Sequence, residues 1–276
     1  MEKEKTESQG TRLMRQLQAQ GKTIFSREEA ELIGESENIP TTYLNIILSN
    51  LVKSGRIIRL RRGLYAGFGV FPGQIHLHPF AIATRLVEPS FISHWSALQH
   101  HGLTEQIPQV ITASSSSKAF TPSMRSSVNE KKSEKHAWVI DGVRYEYFQV
   151  KPNKFFGLEE IWVDEHFKIS ITNPERTVID LLAYSSVFGG MGEVLGIVEQ
   201  TLPNLNLKQL IEYALLYEEQ SLCKRLGWVL EQFQIDSVFL KPLLEIQKKS
   251  YCSLDPRLPK KGTPNTRWMI VENLKQ

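Results

Sequence analysis

The stretch 24–67 changes its hydrophobic period twice, helix to helix to hairpin, and few folds accommodate that order. Ser26 precedes Arg27-Glu28-Glu29, so its hydroxyl can cap a helix while Glu29 reaches back, a capping box. That helix is expected to stop near Gly34. Pro40 suits the first turn of the next helix, where its missing N–H has no partner anyway. Leu44, Ile47, Leu48, Leu51 and Val52 then recur on one face and leave Thr41, Thr42, Asn45, Ile46 and Ser49 opposite. Gly55 ends this helix. Ile57–Leu60 and Leu64–Ala66 flank Arg61-Arg62-Gly63, a hairpin with a cationic tip. Residues 11–20 supply a preceding helix with Leu13, Met14 and Leu17 inward. The order predicts a winged helix-turn-helix over residues 11–70, behind a frayed polar tail at 1–10.

Charge placement points the same way. From Asn38 to Val70 there are five cations (Lys53, Arg56, Arg59, Arg61, Arg62) and no acid. Such a surface is the electrostatic footprint of phosphate contacts with double-stranded DNA. Helix 40–53 is expected to enter the major groove, with Thr41, Thr42, Tyr43 and Asn45 near its start as candidates for base edges. Lys53, Arg56 and Arg59 would hold phosphates, and Arg61 and Arg62 would reach phosphates or a minor groove. The competing reading is a protein-interaction module with a solvated basic hairpin.

The net charge of +3 is too small to argue about partners; only its distribution does. Cys223 and Cys252 are no disulfide framework, and a reducing cytoplasm suits them best. No run approaches the roughly 18 apolar residues of a membrane span, and Met1–Gly10 reads as neither signal peptide nor anchor.

Gly67, Gly69, Pro72 and Gly73 place a boundary at about residue 70, with a second domain at 71–276. Its helices are expected at Pro79–Val87 and Ser93–His101, its strands at Val110–Ala113, Ala137–Ile140, Val143–Phe148, Leu158–Val163 and Phe167–Ile171. Residues 114–136, polar and charged, read as a surface loop. Helices follow from Asn173, then at about 191–201, 207–218, 221–233 and 238–249, with a last strand at Trp268–Val271 that could return to the sheet. The fold class is α+β: a winged helix-turn-helix followed by a mixed sheet with helices.

Several clusters invite a chemical reading. Trp95 and Leu98 suit a core face, and His101 lies in a last turn where a cation meets the helix's negative end. His100-His101 and His76-x-His78 lack the i, i+4 spacing of a helical metal pair, so no metal is expected. Arg176 and Asp180 are i, i+4 and can pair, a contact worth a few tenths of a kcal/mol if exposed. An acid site of Glu175 with Asp164 needs geometry that spacing does not supply. Gly189-Gly190-Met191-Gly192 reads as a flexible helix start rather than a phosphate loop. No cofactor is called for.

Taken together, several blocks resemble the AbiEi-type antitoxins of type IV toxin–antitoxin systems. They are Gly55–Tyr65, Ile92–Leu98, His101–Pro108 with Glu105 and Gln106, Pro174–Asp180 with Glu175 and Arg176, and Leu254–Gly262. The resemblance implies a winged DNA-binding domain and a C-terminal antitoxin domain carrying Trp95, His101, Pro174 and Asp180. It also implies repression of the protein's own operon through inverted repeats, by monomers or a dimer on DNA. Finally, it implies opposition to a nucleotidyltransferase-like toxin without a stable complex, and no enzymatic activity. A nuclease-like domain targeted to DNA is the rival reading.

Overall fold

The computed structural model describes residues 7–67, 77–119, 137–165, 167–246 and 250–274. Gly69, Pro72 and Gly73 of the expected boundary, His76 and most of the polar stretch 114–136 therefore lie outside the described residues.

The chain opens with α1 (Gln9–Ala19), β1 (Ile24–Ser26), α2 (Arg27–Ser36), α3 (Thr41–Lys53), β2 (Ile57–Arg61) and β3 (Leu64–Gly67). Ser26 accepts from the Glu29 N–H at 3.1 Å, and Glu29 accepts from the Ser26 N–H at 2.7 Å, so the capping box forms as the spacing predicts. α2 runs two residues past Gly34, and Pro40 stands just outside α3 as its N-cap. Leu44, Ile47, Leu48 and Leu51 are buried, while Val52 is half-buried. Gly55 and Gly63 take φ of +69° and +76°, a left-handed turn that glycine adopts at no steric cost. β1, β3 and β2 pair antiparallel in that spatial order, with a bulge between Arg59 and Arg61.

The two faces of this small sheet serve different cores. Phe25, Ile57 and Tyr65 join Leu13, Leu17, Leu44 and Leu48 beneath the three helices. Ile24, Leu60, Leu64 and Ala66 point the other way, into a core shared with α4 (Pro79–Leu86) and the larger sheet. Period-two alternation along a strand makes this division automatic. Arg85 of α4 adds an ion pair to Glu29 of α2 at 3.1 Å.

The larger sheet contains β4 (Ser90–Ile92), β5 (Val110–Ser115), β6 (Ala137–Ile140), β7 (Val143–Gln149), β8 (Leu158–Trp162) and β9 (Lys168–Thr172). Their spatial order is β6-β7-β5-β4-β9-β8, with β5/β7 and β4/β9 parallel and the other pairs antiparallel. β4 is central yet absent from the sequence reading. Three residues are too few to show a period, and Phe91 and Ile92 are fully buried because strands flank them on both sides. Ser114 and Ser115 also depart from expectation: they are buried in β5 and not in a loop.

α5 (His94–His100) packs on β5 and on α6 (Pro174–Ala183). Beyond α6, α7 (Met191–Thr201), α8 (Leu207–Leu216), α9 (Gln220–Gln232) and α10 (Ser237–Glu245) bury Val194, Val198, Leu210, Leu226 and Leu243 around it. The last strand does not return to the six-stranded sheet. β12 (Ile270–Glu272) sits between β10 (Cys252–Ser253) and β11 (Thr263–Asn265) in a separate sheet. Trp268 anchors that sheet on α9, where a Cβ at Gly227 would stand 1.9 Å from the indole. Among the described residues, no helix is long and apolar enough to cross a membrane.

Candidate nucleic-acid interface

The buried face of α3 fixes which side chains remain outside. Thr41, Thr42, Tyr43, Asn45, Ile46 and Ser49 are exposed, and Ile46 keeps 49% of its surface free. No charged side chain interrupts this face until Lys53, so it offers hydroxyls, an amide and methyl groups. Such groups can meet base edges without the desolvation cost of a buried charge.

Cations flank it on both sides. On one flank, a cleft of about 550 Å³ is lined by Arg27, Glu28, Asn45, Arg59, Arg62 and Tyr65. On the other, a groove of about 320 Å³ is lined by Ser8, Gly10, Tyr43, Asn50 and Arg56. Arg56 Nη1 donates to Thr11 Oγ1 at 3.1 Å, which ties this flank to α1. Tyr43 and Asn45, two positions apart, therefore face opposite flanks, because two residues turn a helix by about 200°.

Lys53, Arg56, Arg59, Arg61 and Arg62 are all exposed. Among the described residues of this part of the chain, the ion pairs go instead to Arg12, Arg15, Lys22 and Arg27. Arg62 lines the cleft beside Asn45, and Arg61, past the bulge, lies within electrostatic reach of Glu28, which lines the same cleft, and of Tyr147 on β7. The Glu28 carboxyl is held below its ordinary value, chiefly by a backbone hydrogen bond and the Ser26 hydroxyl, with smaller help from Arg27 and Arg61.

Arg27 is the residue the sequence reading left out. Its backbone N–H donates to Gly63 O at 2.8 Å, which ties the start of α2 to the hairpin turn. Its Nε donates to Asn45 Oδ1 at 3.1 Å, and Nη2 stands 3.8 Å from Glu31. Its place at the start of the first helix of the pair was a usable signal, since that end faces the middle of the second.

The second group of sequence-selected residues lies in the other part of the chain, mostly buried. Arg176 is fully buried: Nε donates to Asp180 Oδ1 at 3.1 Å, and Nη1 donates to the carbonyls of Lys154 and Phe156 at 2.7 and 2.9 Å. Its guanidinium also lies 4.4 Å from the Phe156 ring centre. The pair is therefore no exposed surface contact, and it welds α6 to the segment before β8. Burial raises the Asp180 carboxyl despite Arg176. Pro174 opens α6, and Glu175 accepts from the Asn206 N–H at 2.9 Å. Asp164 instead accepts from the Phe167 N–H at 2.8 Å, so these two acids hold separate turns.

His101 caps α5 and places Nε2 2.6 Å from Thr172 O, with Glu159 at 3.7 Å. Trp95 donates to Val187 O at 3.1 Å and shares a cleft of about 280 Å³ with Gln106, Ile107, Glu146 and Phe148; Glu105 is exposed nearby in sequence. His94, beside Trp95, is fully buried and stacks on Phe148 at 4.0 Å. Burial, and then Arg176, lower its pKa to about 3. Gly189-Gly190 leads into a helix, as the sequence suggests, and Asp255 Oδ2 accepts from the Met191 N–H at 2.9 Å at its first turn. Among the described residues, no three His, Cys, Asp or Glu side chains gather as a metal site requires.

Comparison with known proteins bears on both parts. The whole chain resembles the crystal structure of the RV2827C protein from Mycobacterium tuberculosis, with a TM-score of 0.60 at 12% identity over 95% of this chain and 90% of that one. At that identity the likeness concerns the fold alone. No curated protein matches the chain. Residues 12–66, from α1 to β3, match the family model described as transcriptional regulator, AbiEi antitoxin. Over residues 12–66 this chain is thus similar to the AbiEi antitoxin family of transcriptional regulators.

Proposed function

We propose that α1–α3 with β1–β3 form a winged helix-turn-helix, and that this protein is a DNA-binding repressor and antitoxin of a type IV toxin–antitoxin operon. α3 lies in the major groove with Thr42 and Asn45 toward the bases. Arg59 and Arg62 on one flank, and Arg56 on the other, meet the two phosphate strands that border the groove. The observation that carries this reading is the division of the exposed cations to either side of an uncharged helix face. A groove is bordered by backbone on both sides, so a reader needs charge at its margins and hydrogen-bonding groups at its centre.

One such unit covers a half-site, so an inverted repeat in the promoter takes two copies, as a dimer or as adjacent monomers. The remainder of the chain, with Trp95, His101, Glu105, Gln106, Glu175, Arg176 and Asp180, forms the antitoxin part and opposes a nucleotidyltransferase-like toxin without a stable complex. The chain itself catalyses nothing in this scheme.

The test is a fluorescence-anisotropy titration of the full chain with duplex DNA from upstream of its own coding sequence. Binding that weakens steeply with salt supports the proposal. Salt-insensitive or absent binding at low ionic strength overturns it. Plasmid cleavage with Mg²⁺ or Mn²⁺ would favour the nuclease alternative.

A further inference from the structure

We propose that Arg27 and Asn45 act as a single donor-rich unit that selects guanine at one position of the bound DNA. This inference rests on the DNA-binding reading above and names the base edge that the site takes.

Arg27 Nε donates to Asn45 Oδ1 at 3.1 Å, and both side chains line the same cleft as Arg59 and Arg62. A carboxamide has one accepting end and one donating end. When both are free, asparagine reads adenine in two places, its oxygen accepting from N6 and its amino group donating to N7. Here Arg27 Nε occupies one of the oxygen's two lone pairs, and the rest of a guanidinium stands beside it. Adenine would bring its N6 amino group against those N–H groups, donor against donor. Among the described residues the Asn45 amino group remains free to donate.

The combined edge is therefore rich in donors, with a single accepting lone pair left on the Asn45 oxygen. Guanine presents two acceptors in the major groove, O6 and N7, and no donor. Thymine presents one acceptor and a methyl group, and cytosine presents a donor. Guanine alone satisfies two neighbouring donors from α3 and α2. The pairing is held from behind by Glu31, one turn along α2 and 3.8 Å from Arg27 Nη2. The tie from the Arg27 N–H to Gly63 O fixes the backbone at the start of α2 against the hairpin, and from there the side chain reaches α3. Arg27 is thus a positioning residue for Asn45 as well as a donor in its own right.

The experiment is in vitro selection from a randomised duplex library with the full chain, comparing wild type, Arg27→Met and Asn45→Ala. Arg27→Met keeps side-chain length and removes every donor. Wild type is expected to enrich guanine at one position. Asn45→Ala should lose preference there. Arg27→Met should free the oxygen and move that same position toward adenine, changing the guanine-to-adenine ratio by roughly tenfold or more. An unchanged far-UV circular dichroism spectrum and thermal midpoint confirm that both variants are folded. An unchanged guanine preference in Arg27→Met overturns the proposal, as does adenine selection by wild type at the position lost in Asn45→Ala. Wild type that binds random DNA but enriches nothing also overturns it while leaving DNA binding intact. Wild type that binds no DNA sinks the functional reading itself.

Discussion

The carboxylate of Asp255 accepts the backbone N–H of Met191 at 2.9 Å, across 64 residues of sequence. The C-terminal loop thereby caps the first turn of α7. The other Asp255 oxygen accepts from the Arg257 N–H at 2.8 Å, and a Cβ on Gly190 would stand 2.8 Å from the first. A protein carboxylate holds the place that a glycine-rich helix start could otherwise offer to an anion. Asp255→Ala should destabilise the fold by about 1–3 kcal/mol, since it removes a helix cap and a buried acceptor. Urea denaturation measures this, and an unchanged midpoint would show that the cap is dispensable.

The buried imidazole of His94 predicts an acid sensitivity of known sign. Its folded pKa is about 3, against an unfolded value near 6.5. Between those values the unfolded chain binds the proton and the folded chain does not, so stability falls as pH drops through that window. The expected slope approaches ~1.4 kcal/mol per pH unit. His94 has φ +57°, a conformation asparagine tolerates. His94→Asn should therefore flatten the dependence of the denaturation midpoint between pH 7 and 5, and an equally steep profile in the variant would refute the assignment.

On the nucleic-acid side, Arg59→Ala with Arg62→Ala should weaken binding to promoter and random DNA alike. The slope of log affinity against log salt should shrink by roughly two, one phosphate for each arginine. Arg61→Ala should reduce it less, because Glu28 stands within electrostatic reach and offsets part of that charge. Equal effects from Arg61 and Arg62 would place both at the DNA.

The shared core predicts that the helices of the first part depend on the rest of the chain. Leu64 is 2% exposed and packs among Phe80, Ile82 and the larger sheet. Leu64→Ala should cost about 2–4 kcal/mol. Amide exchange in α1–α3 should quicken together with that in α4, since both lean on the same side chains. Faster exchange confined to α4 would show the two parts opening separately.

Much of the fold is legible in local patterning. The capping box at Ser26, the apolar face of α3, the Asp141-Gly142 hairpin between β6 and β7, and Asn173-Pro174 at the start of α6 each rest on contacts within a few residues. β4 was not legible, because its identity as a strand comes from partners 21 or more residues away. The same holds at the site. The exposed residues of α3 and the cations of the hairpin follow from period and charge, but the hydrogen bond from Arg27 to Asn45 spans 18 positions and two helices.

By itself the sequence determined which segments are helix or hairpin and which face of α3 is left to solvent, since propensity, capping and hydrophobic period act over one or two turns. Tertiary structure alone decided that Arg27 meets Asn45, that Arg176 and Asp180 are buried rather than exposed, and that Asp255 closes α7. Those outcomes depend on which distant surfaces exclude water together, and burial of a charge or an amide is a property of the packed whole rather than of any stretch of chain.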